Sequence, residues 1–309
     1  MIHYYSNPSL MVSGVEVQLQ QGAAPGTGGT AAVTQTDSTG QFSLSGTSGL
    51  DYRVQPMQPT GAVGNGIDIL DAVTILQATT GLITLGAQQQ LACDVSGDGS
   101  VDIIDAVLIL QYTVGLITQF PVAQMCGSDW VFVPEADPAV NQLILQPQVT
   151  TGQNGAIAFQ PLAAPASNQN FSAVLFGDCM GNWQSSPARV AALSVAANTI
   201  GDVRLGQHVQ RSGRYLRVPL SVHTNGTFRG LTVQLGYDPT QLSVRSVRPA
   251  GNARKAVAQA NSQVSGLLNI AVASPDPLPS GVALMLEFET KRGHMAKPRI
   301  RVQHSAVAR

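Results

Sequence analysis

The stretch that most limits how this chain can fold is residues 94–118. Asp94-Val-Ser-Gly-Asp-Gly-Ser-Val-Asp-Ile-Ile-Asp105 runs directly into Ala-Val-Leu-Ile-Leu-Gln-Tyr-Thr-Val-Gly-Leu-Ile-Thr118. Counted as twelve positions, the first segment carries oxygen-bearing side chains at 1, 3, 5, 9 and 12: Asp94, Ser96, Asp98, Asp102 and Asp105. Position 7, Ser100, would offer its backbone carbonyl, and position 6, Gly99, is where the chain must turn sharply. A hard cation takes about six to eight oxygens, and this spacing curls them around one point. The stretch therefore predicts a Ca²⁺ loop leading into a helix. Position 12 is Asp105 rather than a longer glutamate, and Gln-Gln-Leu-Ala-Cys93 ahead of the loop is short for an entering helix.

The pattern occurs twice. Residues 71–84 read DAVTILQATTGLIT and residues 105–118 read DAVLILQYTVGLIT, identical at eleven of fourteen positions with an offset of 34. With only two copies, a paired module is expected rather than a solenoid. Val73, Leu76, Val107, Ile109 and Leu110 give the two helices apolar residues with which to pack on each other. The loop of the first copy is damaged. Asp68 and Asp71 stand at positions 9 and 12, but positions 1 and 5 fall on Thr60 and Gly64. Further on, Gly177-Asp178-Cys-Met-Gly-Asn182-Trp183 looks like the opening half of such a loop. Asp178 and Asn182 would supply the acceptors that the first loop lacks and complete a second, weaker Ca²⁺ site with Asp68 and Asp71. The same residues also read as an ordinary turn between strands.

These departures from an ordinary EF-hand resemble a dockerin type I repeat, a calcium loop plus one helix used twice. The residues before position 12 are Ile69-Leu70 and Ile103-Ile104. In cellulosomal dockerins that place is often a polar pair that contacts a cohesin. Exposed apolar pairs are costly, so both are expected to be buried against a neighbouring domain or subunit. Two further stretches carry resemblances. Val12-Ser-Gly-Val-Glu-Val-Gln-Leu19 with Thr36-Asp-Ser-Thr-Gly-Gln-Phe-Ser-Leu44 looks like the small β-sandwich of carboxypeptidase-regulatory-like and Cna-B-like surface proteins. Leu235-Gly-Tyr237-Asp238-Pro239-Thr-Gln-Leu242-Ser-Val244 resembles a segment of cohesin-like sandwiches.

Alternating apolar residues bounded by Gly, Asp and Ser clusters mark strands along the rest of the chain. They include Ile2–Tyr5, Gln41–Leu44, Trp130–Val133 and Arg299–Val302. The expected fold is mainly β. A Cna-B-like sandwich would occupy residues 1–59, and the paired calcium-loop module residues 60–118. A β extension packed on that module would follow at 119–190, and a cohesin-like sandwich at 191–309, after a linker at 186–196 rich in Ser, Pro and Ala.

Only 11% of residues are charged, and the net charge of −1 hides an asymmetry. Residues 1–185 carry one basic residue against thirteen acids, a net −12, and residues 186–309 carry sixteen against five, a net +11. Opposite halves attract, within a chain or head to tail between chains. Nucleic-acid binding is not expected, since no basic motif is interleaved with aromatics. No run of about eighteen apolar residues exists to span a membrane.

Cys93, Cys126 and Cys179 allow one disulfide in three ways. Cys93–Cys179 follows if the loop at 94 and the half-loop at 178 meet. Asn170-Phe-Ser172 and Asn225-Gly-Thr227 fit the glycosylation sequon. The chain carries no nucleophile elbow, phosphate loop or zincin motif, and no second carboxylate suits a glycosidase. It is not expected to be an enzyme. The expected function is a secreted, calcium-stiffened structural subunit that assembles with copies of itself into an extracellular or cell-surface filament. Terminal strands such as Ile2–Tyr5 or Arg299–Val302 would complete a neighbour's sheet. The alternative is an adhesion or scaffolding module that docks glycans or proteins bearing cohesin or dockerin modules.

Overall fold

The computed structural model describes residues 1–22, 28–58, 65–184, 201–206, 209–291 and 299–309. The chain opens with strands β1 (Ile2–Tyr4), β2 (Asn7–Met11), β3 (Glu16–Gln21), β4 (Thr30–Gln35) and β5 (Tyr52–Met57). Four helices follow: α1 (Ile69–Thr79), α2 (Ala87–Cys93), α3 (Ile103–Thr113) and α4 (Pro121–Cys126). Next come β6 (Trp130–Ala136), β7 (Gln142–Leu145), β8 (Ala156–Phe159) and β9 (Gln169–Leu175). The last part holds β10 (Gly201–Leu205), β11 (Gln210–Ser212), β12 (Tyr215–Tyr237) and β13 (Leu242–Pro249). It ends with β14 (Val257–Asn261), β15 (Leu267–Thr290) and β16 (Ile300–Ala308). The chain is mainly β.

These elements form two units. Unit 1 comprises Met1–Gly66, Leu85–Ser100 and Gln119–Arg189, and unit 2 comprises Ile67–Thr84, Val101–Thr118 and Val190–Arg309. The boundaries expected at 59/60 and 118/119 therefore need correction. Strands from 1–59 and from 119–190 share both sheets of unit 1, whose orders are β2-β1-β9-β6 and β4-β3-β5-β8-β7. β1 lies parallel to β9, Ile2 opposite Phe171, and β5 pairs antiparallel with β8, Tyr52 opposite Phe159. Neither segment buries its apolar residues without the other. Tyr4, Val17, Val54, Trp130, Phe132, Ile157 and Phe171 are all buried in unit 1. The expected paired module at 60–118 is not a separate body either: α1 and α3 belong to unit 2, and α2 to unit 1.

Two strand expectations also change. Gln41–Leu44 has no regular structure. Asp37 holds the chain in a turn there, its Oδ1 accepting from Thr39 N–H (2.8 Å), Thr39 Oγ1 (2.7 Å) and Gln41 N–H (3.0 Å). The terminal strands are committed within their own units: β1 sits between β2 and β9, and β16 lies along β12, Leu231 opposite Val307.

Unit 2 is built on two long strands. The first half of β12 pairs with the second half of β15, and the second half of β12 with the first half of β15. Irregular register between Val222 and Thr227 marks the change. β10, β11 and β13 flank the one half, and β14 and β16 the other. Leu231, Val233 and Leu235 alternate along β12 and, with Leu268, Ile270 and Val272 of β15, point into one apolar core. Burying each such side chain contributes about 1.5–3 kcal/mol.

Candidate functional site

Unit 1 holds the first part of the Asp94–Asp105 loop. Gly97 and Gly99 have φ of +78° and +90°, a backbone that L side chains avoid, so the chain folds back on Asp94. The Asp94 carboxylate, 4% exposed, accepts from Gly97 N–H (2.8 Å), Gly99 N–H (2.9 Å) and Ser96 Oγ (3.2 Å). Ser100 N–H donates to Asp98 Oδ1 at 2.9 Å. Burial pushes the Asp94 carboxyl up from its ordinary range, and these donors partly offset it. Val122 N–H donates to Val95 O (3.1 Å), which ties the loop to α4.

Behind the loop, Cys93 is joined to Cys179 by a disulfide, with Cα atoms 5.0 Å apart. Gly177 N–H to Ala92 O (2.7 Å) and Gln89 Nε2 to Cys179 O (2.7 Å) fasten α2 to the same turn. Asp178 is fully buried in that turn. Its carboxylate accepts from Tyr4 Oη, from Asn182 N–H at 3.0 Å and from Trp183 N–H at 2.7 Å. Trp130 and Trp183 stack edge to face beside it at 5.0 Å, both buried.

Unit 2 holds the C-terminal ends of both loops, and there the carboxylates start helices. Asp68 accepts from Leu70 N–H (2.7 Å) while Asp71 accepts from Asp68 N–H (2.8 Å). Asp102 and Asp105 repeat the arrangement with Ile104 N–H (2.6 Å) and Asp102 N–H (2.9 Å). These are reciprocal capping boxes, which satisfy backbone donors that a helix start leaves open. Burial pushes the Asp68 carboxyl up, against the Leu70 N–H.

The two helices pack on each other and on the sandwich, α1 against β12 and β15, α3 against β14 and β15. The strand face beneath them is made of small residues. Gly230 stands opposite Ala273 and Ala308, and Thr232 opposite Ala271 and Ala306. All are buried, yet none belongs to the apolar core on the other side of the strands. A Cβ on Gly230 would come within 2.9 Å of Ile69 Cγ2, so only glycine lets α1 lie this close. At the other end Asn261 Nδ2 donates to Val114 O (3.0 Å), capping the carbonyl end of α3 from the sandwich.

The loop residues are thus distributed, Asp94, Ser96, Asp98 and Ser100 in unit 1 and Asp102 and Asp105 in unit 2. Asp68 and Asp71 belong to unit 2, and Asp178 and Asn182 to unit 1. Thr60 and Gly64 lie outside the described residues, as does the expected linker at 186–196. Oxygen donors of this kind fit a hard cation, and among the described residues no ion pair includes Asp94, Asp98 or Asp102. Among the described residues, however, no group of three or more His, Cys, Asp or Glu is gathered to hold a metal ion. Of the expected buried pairs, Ile69 is 1% exposed, but Ile103 and Ile104 are 54% and 52% exposed. Asn170 is half-buried, its Oδ1 accepting from the Met1 amino group (3.0 Å), and Asn225 is exposed on β12. The small-residue face was not anticipated. Its only trace in the sequence is the alternation Gly230-x-Thr232 and Ala271-x-Ala273.

No protein-family model matches the sequence, and no curated protein matches it either. Among solved structures, the chain is similar to a cohesin module from a family 33 glycoside hydrolase of Clostridium perfringens. Identity is 12%, over 36% of this chain and 84% of that one, with a TM-score of 0.30. It is also similar to the sixth cohesin of scaffoldin B from Acetivibrio cellulolyticus, solved in complex with a Cel5 dockerin. There identity is 16%, over 35% of this chain and 86% of that one, with a TM-score of 0.31. A third likeness is to a type I cohesin–dockerin complex from Clostridium thermocellum, at 16% identity over 36% and 84%, with a TM-score of 0.29.

Proposed function

We propose that this chain is a non-catalytic docking protein of an extracellular assembly, in which the β12–β14–β15 face is a receptor and the α1–α3 pair its ligand. The observation that carries the reading is the pair seated on Gly230, Thr232, Ala271 and Ala273 within unit 2. Small side chains bring helix backbone close to strand backbone, and Ile69 then fills the space that Gly230 leaves. The surface is stereospecific and holds one helix pair at a time. An incoming pair, from another copy or from a different protein with such repeats, displaces the resident one. The Cys93–Cys179 disulfide favours an oxidising compartment, outside the cell or on its surface. Among the described residues, no helix is long and apolar enough to cross a membrane.

Receptor and ligand are different surfaces of one chain. Exchange between copies is therefore heterologous and produces a ring or an open filament. The opposite charges of residues 1–185 and 186–309 favour this self-assembly as the second reading. Ca²⁺ belongs to the same proposal. Asp94, Ser96, Asp98, the Ser100 carbonyl, Asp102 and Asp105 would hold it, with a weaker site from Asp68, Asp71, Asp178 and Asn182. The ion supplies positive charge to carboxylates that burial disfavours. Asn170 and Asn225 would carry any attached sugar.

Gly230→Phe tests the docking face, because the new ring occupies the place of Ile69. Wild-type protein at rising concentration, in calcium and in EGTA, is followed by sedimentation and negative-stain microscopy, and titrated with a separately produced dockerin module. Assembly or dockerin binding that Gly230→Phe abolishes, with near-UV circular dichroism unchanged, is the expected result. Assembly that survives the substitution, or a wild-type chain that neither assembles nor binds a helix pair, refutes the reading.

A further inference from the structure

A cleft of about 580 Å³ opens in unit 2 where the end of β12 meets the start of β16. Gly236, Gly266, Gln241, Arg299, Arg301 and Gln303 line it, with Tyr237 and Asp238 at one wall. Its size is that of a small-ligand site, but its walls are polar where such sites are mostly apolar. Three observations define what it would take.

Arg299 and Arg301 are exposed, and neither is in an ion pair among the described residues. Two guanidinium forks in one cleft repel a cation and suit a planar carboxylate. The floor is glycine. A Cβ on Gly236 would collide with Gln303 Nε2, and Gly266, at φ +82°, holds its backbone against Tyr237. Tyr237 N–H donates to Gly266 O at 2.9 Å, and its ring is braced on Phe288 at 5.7 Å. Lastly, Gln241 carries a buried acceptor without a partner. Its Nε2 donates to Asp238 Oδ2 at 2.8 Å, and a carboxylate accepts only, so the amide cannot be turned round. Asp238 Oδ1 is itself held by Thr240 N–H (2.9 Å) and Thr240 Oγ1 (2.6 Å). The Gln241 Oε1 atom is left buried with no hydrogen bond, which costs about 1–3 kcal/mol until a donor arrives.

We infer that this cleft binds an acidic sugar residue, a uronic acid within a glycan chain. The arginines take its carboxylate, and a ring hydroxyl that displaces the cover over Gln241 Oε1 donates to it. A uronic acid holds both groups on one rigid ring, so a single unit answers both. A bare phosphate or sulfate satisfies the arginines and leaves Gln241 unpaired. A neutral sugar does the reverse. The site is independent of the helix-docking face and stands or falls separately from it.

Trigalacturonate is titrated into the full chain by calorimetry and by saturation-transfer NMR, with galactotriose, inorganic sulfate and an acidic hexapeptide as comparisons. Trigalacturonate is expected to bind, with the three comparisons at least about tenfold weaker. Arg301→Gln and Gln241→Leu each weaken it about tenfold or more, while Arg248→Gln, on β13 and outside the lining, leaves it unchanged. Unaltered melting temperatures show that the variants fold. No heat up to about 10 mM ligand, equal binding of sulfate or the peptide, or equal loss in Arg248→Gln overturns the inference. Equal binding of the peptide would assign the cleft to an acidic protein segment instead.

Discussion

Asp178 shows how one side chain serves as a structural tie. Its two oxygens collect a phenol from β1 and two N–H groups from the turn after β9. Burial pushes its carboxyl up, while those donors pull it down. Cys126, at the end of α4, is shielded in another way. Burial pushes its thiol up to about 11. The attacking species in disulfide exchange is the thiolate, so Cys126 is a poor reagent against the Cys93–Cys179 bond in the same unit. Iodoacetamide at pH 8 should alkylate it about 10–100-fold more slowly than a free cysteine, the greater nucleophilicity of a basic thiolate offsetting part of its scarcity. The rate should still be climbing beyond pH 10. The folded thiol keeps its proton to higher pH than the unfolded one, so its contribution to stability is complete below about pH 9 and declines towards pH 11. A rate equal to that of a model thiol, levelling off near pH 9, would contradict this placement.

At the scale of elements, the repeats are alike in sequence and unlike in use. Ile69 and Ile103 are the same position of the two copies. One is pressed onto Gly230 and the other is 54% exposed. Ile69→Ala should cost unit 2 about 2–4 kcal/mol, through lost burial and a cavity over a glycine that cannot fill it. Ile103→Ala should stay within about 0.5 kcal/mol. Denaturant titrations of the two variants decide it, and equal costs would mean that α1 does not rest on the sandwich. The same pair shows what was legible in advance. Carboxylates at positions 9 and 12 announce where α1 and α3 begin, because the residue types that bind cations also cap helices. The apolar character of Ile69-Leu70 and Ile103-Ile104 announced a buried contact, which Ile69 makes on Gly230, while Ile103 and Ile104 are exposed on the single chain. The small-residue face was silent. Gly230, Thr232, Ala271 and Ala273 carry no hydrophobic signal, and a strand that alternates large with small reads as one solvated on its small side. The sheets of unit 1 were hidden for another reason. Local alternation locates β1, β5, β8 and β9, but pairing across more than a hundred residues leaves no mark in any window.

For the whole molecule, the interleaving of the chain has a consequence for cooperativity. All three cysteines lie in unit 1, so the apolar core of unit 2 has no sulfur cross-link. The Cys93–Cys179 bond closes a sequence separation of 86 and fastens α2 to the turn that carries Asp178. A cross-link of that span restricts the unfolded chain, and its loss costs about 2–5 kcal/mol. Scanning calorimetry in reductant should therefore lower the transition of unit 1 by about 5–15 °C. The sandwich transition should move by no more than about 2 °C. Cys93→Ala with Cys179→Ala should reproduce the shift without reductant, which separates the bond from any other effect of the reagent. If both transitions fall together, the units unfold as one, and α1 and α3 transmit the loss from the chain they interrupt to the sandwich on which they sit.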